Sequence, residues 1–493
     1  MGCGLLERSR KLRSSHVPKG SPLRAPKRAS KVKLISGDGR SAGSENVWSF
    51  RSRPDLSPPS VEVTKQAHGD TAPGYIFAAP KGSNLWQGGS MMFDDSGQPV
   101  WFRPMQNVNS RAMGFRVQNY RGSPVLTWAE IVAGGDDYVI FDNSYREIAR
   151  FRAGNGYQGN HHEFLITKRD TALITIANPV PADLSAVGGS KAGMVYEGMV
   201  QELDIGSGEV LFEWHSLPAV GPEESYYPLL PDYFHLNSID VDHDDNLIVS
   251  ARNTSTVYKI DRKSGEIIWR LGGKRSSFKM GPGTRTHYQH DARRQPDGTI
   301  SIFDNGATVY AAGVPKGVEE SRGIILELDE EQMSASLVRE YTHPLHPLAL
   351  ASGDMQALPN ENVFIGWGRQ DLVDFSEFSR DGKLLFSAGI TRDISYRAFR
   401  FGWNGYPSER PAAVAERASE EEVKVYASWN GATEVDGWEV FAGPSSRQLR
   451  YVGSAPRNGF ETAMSVRTAE PYLVVRAKDG SGRVLGTAGP VKL

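Results

Sequence analysis

Two stretches of nearly the same pattern decide the fold, Asp204-Ile-Gly-Ser-Gly-Glu-Val-Leu-Phe-Glu-Trp214 and Asp261-Arg-Lys-Ser-Gly-Glu-Ile-Ile-Trp-Arg-Leu271. In each, a glycine turn follows a polar residue and leads into an apolar run, which predicts two antiparallel strands joined by a tight turn. Looser copies stand at Asp95–Trp101 and Arg380–Phe386. A hairpin that recurs along a long chain indicates an all-β architecture built from repeats.

A second element recurs in step with the hairpins. At four places along the chain, a polar residue stands about ten positions before an apolar run. Four-stranded repeats of about 40 to 50 residues are typical of β-propeller blades, here with loop insertions. We count five blades and expect a sixth from residues 60–100 closing on residues 370–400. The polar residues are His162, His235, His290 and Gln356, and the runs begin at Ala172, Leu247, Thr299 and Val363.

Charge and hydropathy exclude several classes of protein. The net charge is −2, yet ten Lys or Arg residues lie within residues 1–33 against one acid, Glu7. This segment is almost without apolar residues, so we predict that residues 1–45 are disordered. The rest of the chain is acidic, and no nucleic-acid partner is expected. No apolar run approaches the roughly 20 residues of a membrane-spanning helix, so no integral membrane segment is expected.

Cys3 is the only cysteine. The folded part is therefore expected to have no disulfide, no cysteine-based metal site and no thiol nucleophile. No apolar stretch of signal-peptide length is visible near the start, which predicts no secretory leader and leaves the compartment open.

The composition shifts near Tyr406–Pro411, which we interpret as a linker. Short strands follow at regular spacing, and about 80 residues of this kind predict an immunoglobulin-like or fibronectin-III-like β-sandwich. The predicted domains are therefore 1–45, 46–411 and 412–493. Large aromatic residues usually contribute to such a core, and here we expect Trp429, Trp438 and Tyr472 to do so.

The three histidines occupy corresponding places in successive repeats. The first strand of each propeller blade lines the central channel, so His162, His235 and His290 are expected to converge on the axis. Arg252 ends the strand after His235 and is expected to reach the same place. Three imidazoles could bind zinc, but the fixed charge of arginine opposes a cation and favours an oxyanion such as sulfate or phosphate. A neutral imidazole is a competent nucleophile for transferring such a group, so we predict no metal.

At these segments the sequence resembles the arylsulfotransferase family, and in particular its fungal and actinobacterial branch. The resemblance runs from about Phe50 to Pro411 and rests on an ordered set of motifs. They are His161-His-Glu-Phe164, Tyr233-Phe-His-Leu-Asn-Ser238, Leu247-Ile-Val-Ser-Ala-Arg-Asn-Thr-Ser255, Ile268-Trp-Arg-Leu-Gly-Gly273, Gln289-His-Asp-Ala-Arg293, Ile302-Phe-Asp-Asn-Gly306, Ser321-Arg322 and Ser395-Tyr-Arg-Ala-Phe-Arg400.

The resemblance implies a six-bladed β-propeller that moves a sulfuryl group from a phenolic sulfate to another phenol, with no nucleotide sulfate donor and no cofactor. It implies that His290 is the nucleophile and forms a sulfohistidine, while His162, His235 and Arg252 bind the sulfuryl oxygens. It also implies export and a disulfide, and the sequence displays neither feature.

A reading from another class stays open, in which the propeller and sandwich form a non-catalytic module that binds an anionic or aromatic ligand or a protein partner. One set of residues discriminates the enzyme from the binding module, because a scaffold has no physical reason to assemble it. The set is His162, His235, Arg252 and His290. Donor, acceptor and oligomeric state are not encoded in any motif we recognise.

Overall fold

The structure is a computed structural model that describes residues 47–82, 86–106, 110–306, 320–368 and 372–493. The predicted disordered segment 1–45 lies outside the described residues. The described chain is all-β, as the sequence predicts, and its helical residues are two short 3₁₀ turns, Ser185–Val187 and Pro222–Glu224. Within these ranges, no helix has the length and apolar character needed to cross a membrane.

Residues 61–401 contain strands β1 to β26. The first half comprises β1 (Val61–Lys65), β2 (Tyr75–Ala78), β3 (Gly89–Phe93), β4 (Pro99–Pro104), β5 (Arg111–Tyr120), β6 (Ser123–Ile131), β7 (Asp137–Phe141), β8 (Glu147–Phe151), β9 (Gly159–Ile166), β10 (Thr171–Ala182), β11 (Gly193–Asp204), β12 (Val210–His215) and β13 (Leu236–Val241). The second half comprises β14 (Leu247–Ala251), β15 (Thr256–Ile260), β16 (Ile267–Gly272), β17 (Lys279–Met280), β18 (His290–Arg294), β19 (Ile300–Asp304), β20 (Arg322–Asp329), β21 (Ser334–Tyr341), β22 (Asp354–Ala357), β23 (Val363–Gly366), β24 (Phe375–Phe378), β25 (Leu384–Ile390) and β26 (Ala398–Phe401).

These strands form six successive sheets in the described chain. Strands β5–β8, β9–β12 and β13–β16 each make a four-stranded antiparallel sheet. Strands β18–β21 make the next sheet, to which β17 adds in parallel with β21. Strands β22–β25 follow, and β2–β4 make the remaining sheet.

The two ends of this region exchange strands. The N-terminal β1 pairs with β25, so that Val61 lies opposite Ile390, while the C-terminal β26 pairs with β2, so that Phe77 lies opposite Phe399. Residues 60–100 thus close on residues 370–400, the pairing expected from the sequence. Because of this exchange, backbone pairing joins the first and last sheets of the region.

The first strand of each sheet lies on the inside of a ring. Strands β26, β5, β9, β13, β18 and β22 contact one another in cyclic order. Glutamine side chains connect neighbours in the ring: Gln118 accepts from the backbone N–H of Ile166 at 2.8 Å and donates to the carbonyl of Phe164 at 3.1 Å. Gln356 makes the same pair of bonds with Arg400, at 2.8 and 2.9 Å. Residues at the starts of these strands are therefore held near one axis.

Residues 412–493 form two further sheets that share one core. Their strands are β27 (Ala412–Arg417), β28 (Glu422–Ser428), β29 (Gly437–Ser445), β30 (Gln448–Pro456), β31 (Glu461–Arg467), β32 (Tyr472–Lys478) and β33 (Val484–Lys492). The first sheet has the order β27-β28-β31 and the second β30-β29-β32-β33.

Of the aromatics expected in this core, Trp438 is buried there, and Trp429 packs against it while remaining partly exposed. Tyr472 is half-buried and does not join the core, which corrects our expectation. The reason is that successive side chains of a strand point to opposite faces of the sheet. Along β32, the residues that enter the core are Leu473, Val475 and Ala477, and Tyr472 points to the opposite face.

The C-terminal sheets are fastened to the preceding ones by aromatic packing and by side-chain hydrogen bonds. Phe50 and Phe460 pack with ring centres 4.3 Å apart. Asn430 exchanges two bonds with the backbone of Phe102 in β4, each 2.9 Å long. The hydroxyl of Tyr145 donates to the carbonyl of Gly431 at 2.7 Å.

Candidate active site

The four residues expected at the axis lie together at the end of the ring where the inner strands begin. His162 is in β9, His235 directly precedes β13 and His290 is the first residue of β18. The imidazole of His235 has its centre 4.8 Å from that of His162 and 6.3 Å from that of His290. The three rings therefore surround a common space.

Arg252 follows β14 and reaches the same space. Its guanidinium carbon lies 5.1 Å from the ring centre of Tyr288, two residues before His290. Arg252 Nη2 donates to the carbonyl of Leu350 at 3.1 Å, and the backbone N–H of Ser352 donates to His290 Nε2 at 3.2 Å. One loop thus contacts both Arg252 and His290.

Each imidazole is held through Nδ1 by a side-chain oxygen. The partner of His162 is the amide oxygen of Asn160, and that of His235 is a carboxylate oxygen of Asp232 at 2.5 Å. His290 Nδ1 bonds to the amide oxygen of Asn305 at 2.7 Å. Since Nδ1 and Nε2 lie on opposite sides of an imidazole ring, this arrangement directs Nε2 away from the anchoring side chain.

The hydrogen bonds of Asn305 fix which nitrogen of His290 carries the proton. Its amide nitrogen donates to the carbonyls of Ala349 and Ser352 at 3.1 and 3.0 Å, so its oxygen is the atom that faces His290. An oxygen can only accept, so Nδ1 of His290 must be the protonated nitrogen. Nε2 then keeps its lone pair, as its bond from the Ser352 N–H also requires.

Burial and local charge keep two of the imidazoles neutral. The pKa of His290 is well below its usual range because the ring is buried and Arg252 lies nearby. The pKa of His162 is lowered well below its usual range by burial and by the adjacent imidazoles of His161, His235 and His290. A neutral imidazole with a free lone pair is the nucleophilic form.

A buried ion network supports the histidines from within the ring. Glu163, next to His162, pairs with Arg293, with Arg397 at 3.1 Å and with Arg116 at 2.7 Å. Although burial opposes ionisation, these three guanidiniums hold the pKa of Glu163 far below its usual range. Arg397 also donates to the carbonyl of Asn237, two residues after His235.

The charges of this network favour a bound anion. Arg293 also pairs with Asp291 at 2.6 Å, so that three guanidiniums face two carboxylates. Two other acids lie near these guanidiniums, and both have raised pKa values, which favours their neutral forms: Asp354 because of burial and the like charge of Asp291, and Asp240 because of burial. The result is an excess of positive charge beneath the imidazoles.

Tyr396 completes the wall between two of the histidines. Its ring centre lies 5.5 Å from that of His162 and 6.5 Å from that of His290. Tyr396 is 4% exposed, and its hydroxyl has no hydrogen-bond partner among the described residues. Burial raises the pKa of Tyr396, so the phenol stays protonated and able to donate.

Four residues close to the imidazoles have a strained backbone. His235, Tyr288, Asp291 and Ser352 all have positive φ angles, of 56°, 59°, 55° and 68°. Non-glycine residues rarely adopt this conformation, and it persists where the surrounding structure enforces it, often at functional sites. Four such residues around three imidazoles mark this region as a site rather than a packed core.

Sequence reasoning did not assign roles to several residues that complete the site. Asn305, Tyr396 and Arg397 lie within motifs that it recognised, but their contacts could not be deduced from spacing. Asp232, three residues before His235, carried no repeat signal. The described part of the chain has no group of three or more His, Cys, Asp or Glu side chains suited to holding a metal ion.

Comparison with known proteins identifies the family. The model of the arylsulfotransferase (ASST) family matches residues 116–391, more than half of the chain. The chain therefore belongs to the arylsulfotransferase family, which confirms the resemblance seen in its motifs. The matched region includes all four residues of the candidate site. Membership of the fungal and actinobacterial branch stays a prediction, and no curated protein matches the chain.

Solved structures similar to this chain have low sequence identity. A protein of unknown function from Bacteroides caccae is 12% identical, with 66% of this chain and 98% of that chain covered and a TM-score of 0.42. A virginiamycin B lyase from Staphylococcus aureus is 8% identical, with coverages of 75% and 97% and a TM-score of 0.35. A glycoside hydrolase family 43 arabinoxylan arabinofuranohydrolase from Bacillus subtilis is 11% identical, with coverages of 76% and 93% and a TM-score of 0.32.

Proposed function

We propose that this protein is an aryl sulfotransferase that moves a sulfuryl group from a phenolic sulfate ester to a phenol, without a nucleotide sulfate donor. The observation that carries the proposal is the meeting of three imidazoles, each held through Nδ1, with Arg252. Membership of the arylsulfotransferase family supports the same activity.

His290 is the proposed nucleophile. Its Nε2 lone pair attacks sulfur while the aryl oxygen departs on the opposite side, so that an N–S bond forms as the S–O bond breaks. The second phenol then attacks the sulfohistidine and regenerates the imidazole. The neutral state of His290, enforced by burial and by Arg252, supports this role.

Arg252, His162 and His235 bind the peripheral sulfuryl oxygens in this scheme. Sulfuryl transfer, like phosphoryl transfer, is expected to pass through a loose transition state in which charge spreads over these oxygens. A guanidinium suits planar oxyanions because it donates in a bidentate fork. The excess positive charge of the network around Arg293 and Arg397 favours the same anionic group.

The proposed architecture is a six-bladed β-propeller over residues 46–411 followed by an immunoglobulin-like or fibronectin-III-like β-sandwich over residues 412–493. The cyclic contacts among β26, β5, β9, β13, β18 and β22 support the first. The shared core of the two C-terminal sheets supports the second. The segment that begins at Val47 spans both, since Ser52 donates to Glu461 at 2.5 Å.

The activity is tested with 4-nitrophenyl sulfate as donor, with and without phenol as acceptor. We expect nitrophenolate release that depends on phenol, parallel lines in double-reciprocal plots, and an acid-labile sulfated histidine at His290. The His290→Ala variant should form no covalent intermediate. His243→Ala is a matched control, because His243 lies in an exposed turn between β13 and β14.

A failure of transfer with all aryl sulfates would refute the enzyme and leave the binding module. In that case, the aryl sulfate should still bind to the wild-type protein and bind more weakly to the Arg252→Met variant. Isothermal titration distinguishes these outcomes without relying on turnover.

A further inference from the structure

The three anchored histidines differ in the chemistry of their Nδ1 partners. His162 and His290 are held by the amides of Asn160 and Asn305, which are neutral. His235 alone is held by a carboxylate, that of Asp232, at 2.5 Å. The other oxygen of Asp232 accepts the backbone N–H of His235 at 3.1 Å, so the acid is fixed to this residue through two bonds.

We infer that the Asp232–His235 pair carries the proton in both half-reactions, with His235 as general acid and base and Asp232 as its positioning residue. The inference rests on the proposed sulfuryl transfer and refines it, because Nε2, the one nitrogen of His235 not bonded to Asp232, then faces the aryl oxygen. The peripheral oxygens are left to Arg252 and His162. A carboxylate bonded to Nδ1–H orients the imidazole and stabilises positive charge on the ring, whereas an amide gives orientation without that charge. The pair is therefore built differently from the nucleophile.

The proton balance follows from this assignment. In the first half-reaction, His290 Nε2 bonds to sulfur, the bond from sulfur to the aryl oxygen breaks, and the proton on His235 Nε2 passes to that oxygen, so that a neutral phenol leaves. In the second, His235 Nε2 takes the proton of the acceptor phenol as its oxygen attacks sulfur. The N–S bond breaks, the new aryl sulfate leaves, and His235 ends as it began.

The other groups around this space are less suited to the task. Burial and neighbouring charges lower the pKa values of His162 and His290, which disfavours their protonated forms. Arg252 cannot be deprotonated in proteins, and it lies close enough to stabilise the Asp232 carboxylate. Arg397 is committed to Glu163 and to a backbone carbonyl. Burial raises the pKa of Tyr396, which opposes its ionisation.

Asp232 is ionised at neutral pH. Although partial burial favours its neutral form, the adjacent His235 and the bond from its Nδ1 lower the pKa of Asp232. The side chains of His235 and Asp232 are 23% and 41% exposed. This exposure gives the imidazole access to solvent.

The test compares donors whose leaving groups differ in basicity. Nitrophenolate is a weak base and leaves without protonation, whereas phenolate needs the proton. Asp232→Asn keeps an oxygen that accepts from Nδ1 but removes the charge. We expect single-turnover release of phenol from phenyl sulfate, which isolates the first half-reaction, to fall by about 10²- to 10⁴-fold, the usual scale of general acid–base catalysis. Single-turnover release of nitrophenolate from 4-nitrophenyl sulfate should fall by less than about 10-fold.

Glu213→Gln is the matched control, because Glu213 bonds to His215 at 3.0 Å on the outer strand β12, away from the imidazole cluster. It should leave the leaving-group dependence unchanged. Asp232→Glu restores a carboxylate and should recover part of the phenyl sulfate activity. Equal losses for both donors in Asp232→Asn would overturn the inference while leaving sulfuryl transfer intact. A wild-type protein inactive with every aryl sulfate would instead refute the proposed function. If Asp232→Asn does not fold, a His235→Gln variant with unchanged donor discrimination would also overturn the inference.

Discussion

Replacing Asn305 by Leu tests whether the proton position on His290 controls the reaction. Asn305 is fully buried and accepts the Nδ1–H of His290 at 2.7 Å, which leaves the Nε2 lone pair for attack on sulfur. Leucine has similar bulk but no acceptor. Among the described residues, the Nδ1–H then has only the carbonyl of Tyr288, 3.2 Å away, as an acceptor, so the preference for the form with a nucleophilic Nε2 weakens.

The magnitude follows from the lost hydrogen bonds. Loss of the Asn305 acceptor costs the Nδ1–H tautomer about 1 to 3 kcal/mol. This penalty lowers the ratio of the Nδ1–H to the Nε2–H tautomer by about 5- to 150-fold. Asn305 also donates to the carbonyls of Ala349 and Ser352. At about 1 kcal/mol for each of three bonds, the free energy of unfolding should fall by about 3 kcal/mol.

The assay is the single-turnover burst of nitrophenolate, which would report formation of the proposed sulfohistidine, measured beside denaturant unfolding. Asn430→Leu is the matched control, because it removes the two bonds to the backbone of Phe102 outside the ring. It should lower stability and leave the burst rate unchanged. The reasoning is refuted if Asn305→Leu loses stability as expected but keeps a burst rate within about 2-fold of the wild type.

Four other outcomes are expected. Arg252→Lys should slow the burst by about 100- to 1,000-fold, because a point charge replaces a bidentate fork; a loss confined to KM would contradict this. Because the proposed nucleophile His290 acts neutral and its pKa is lowered, kcat/KM for 4-nitrophenyl sulfate, whose leaving group needs no proton, should stay constant from pH 8 to below about 6.5, the ordinary imidazole pKa, and fall only at lower pH. The free energy of unfolding should also fall below about pH 6.5, by about 1.4 kcal/mol per pH unit for each of His162 and His290, since unfolding lets them bind protons. If kcat/KM or the free energy of unfolding already declines at or above about pH 6.5, the corresponding statement is wrong. Phe460→Ala should lower the free energy of unfolding by about 3 to 5 kcal/mol in denaturant titrations, because the ring packs in a buried cluster with Phe50; a change below about 1 kcal/mol would show that the C-terminal sheets are not fastened there.

Periodicity predicted the strands and the convergence of the histidines because both depend on local pattern. The glycine turns at Gly208 and Gly265 have positive φ and end the strands where the repeats indicated. His235 and His290 were found because each stands at the start of an inner strand. Gln356 shared the same spacing, but it lies two residues inside β22 and bonds to Arg400 rather than reaching the imidazoles. Sequence spacing fixes the strand to which a residue belongs, but not its depth along the axis.

The partners of the histidines could not be predicted, because each depends on chain segments that approach only in three dimensions. Asn305 follows the second strand of its sheet, Ser352 belongs to the loop before the next sheet, and Arg397 belongs to the segment that closes the ring. Asp232 is the exception, since it lies three residues before His235. Even there, the contact depends on the positive φ of His235, which turns the ring back over the preceding residues. A glycine in the sequence can indicate a positive φ angle, but a histidine gives no such indication.

In the proposed scheme, the chemistry of the site is set from outside its cavity. The three imidazoles are identical in sequence letters, and each is oriented through Nδ1. What separates the proposed nucleophile from the proposed proton carrier is the residue behind the ring, a neutral amide for His290 and a carboxylate for His235. A carboxylate behind an imidazole stabilises positive charge on the ring, whereas an amide only orients it. The division of labour therefore resides in Asn305 and Asp232 as much as in the histidines themselves.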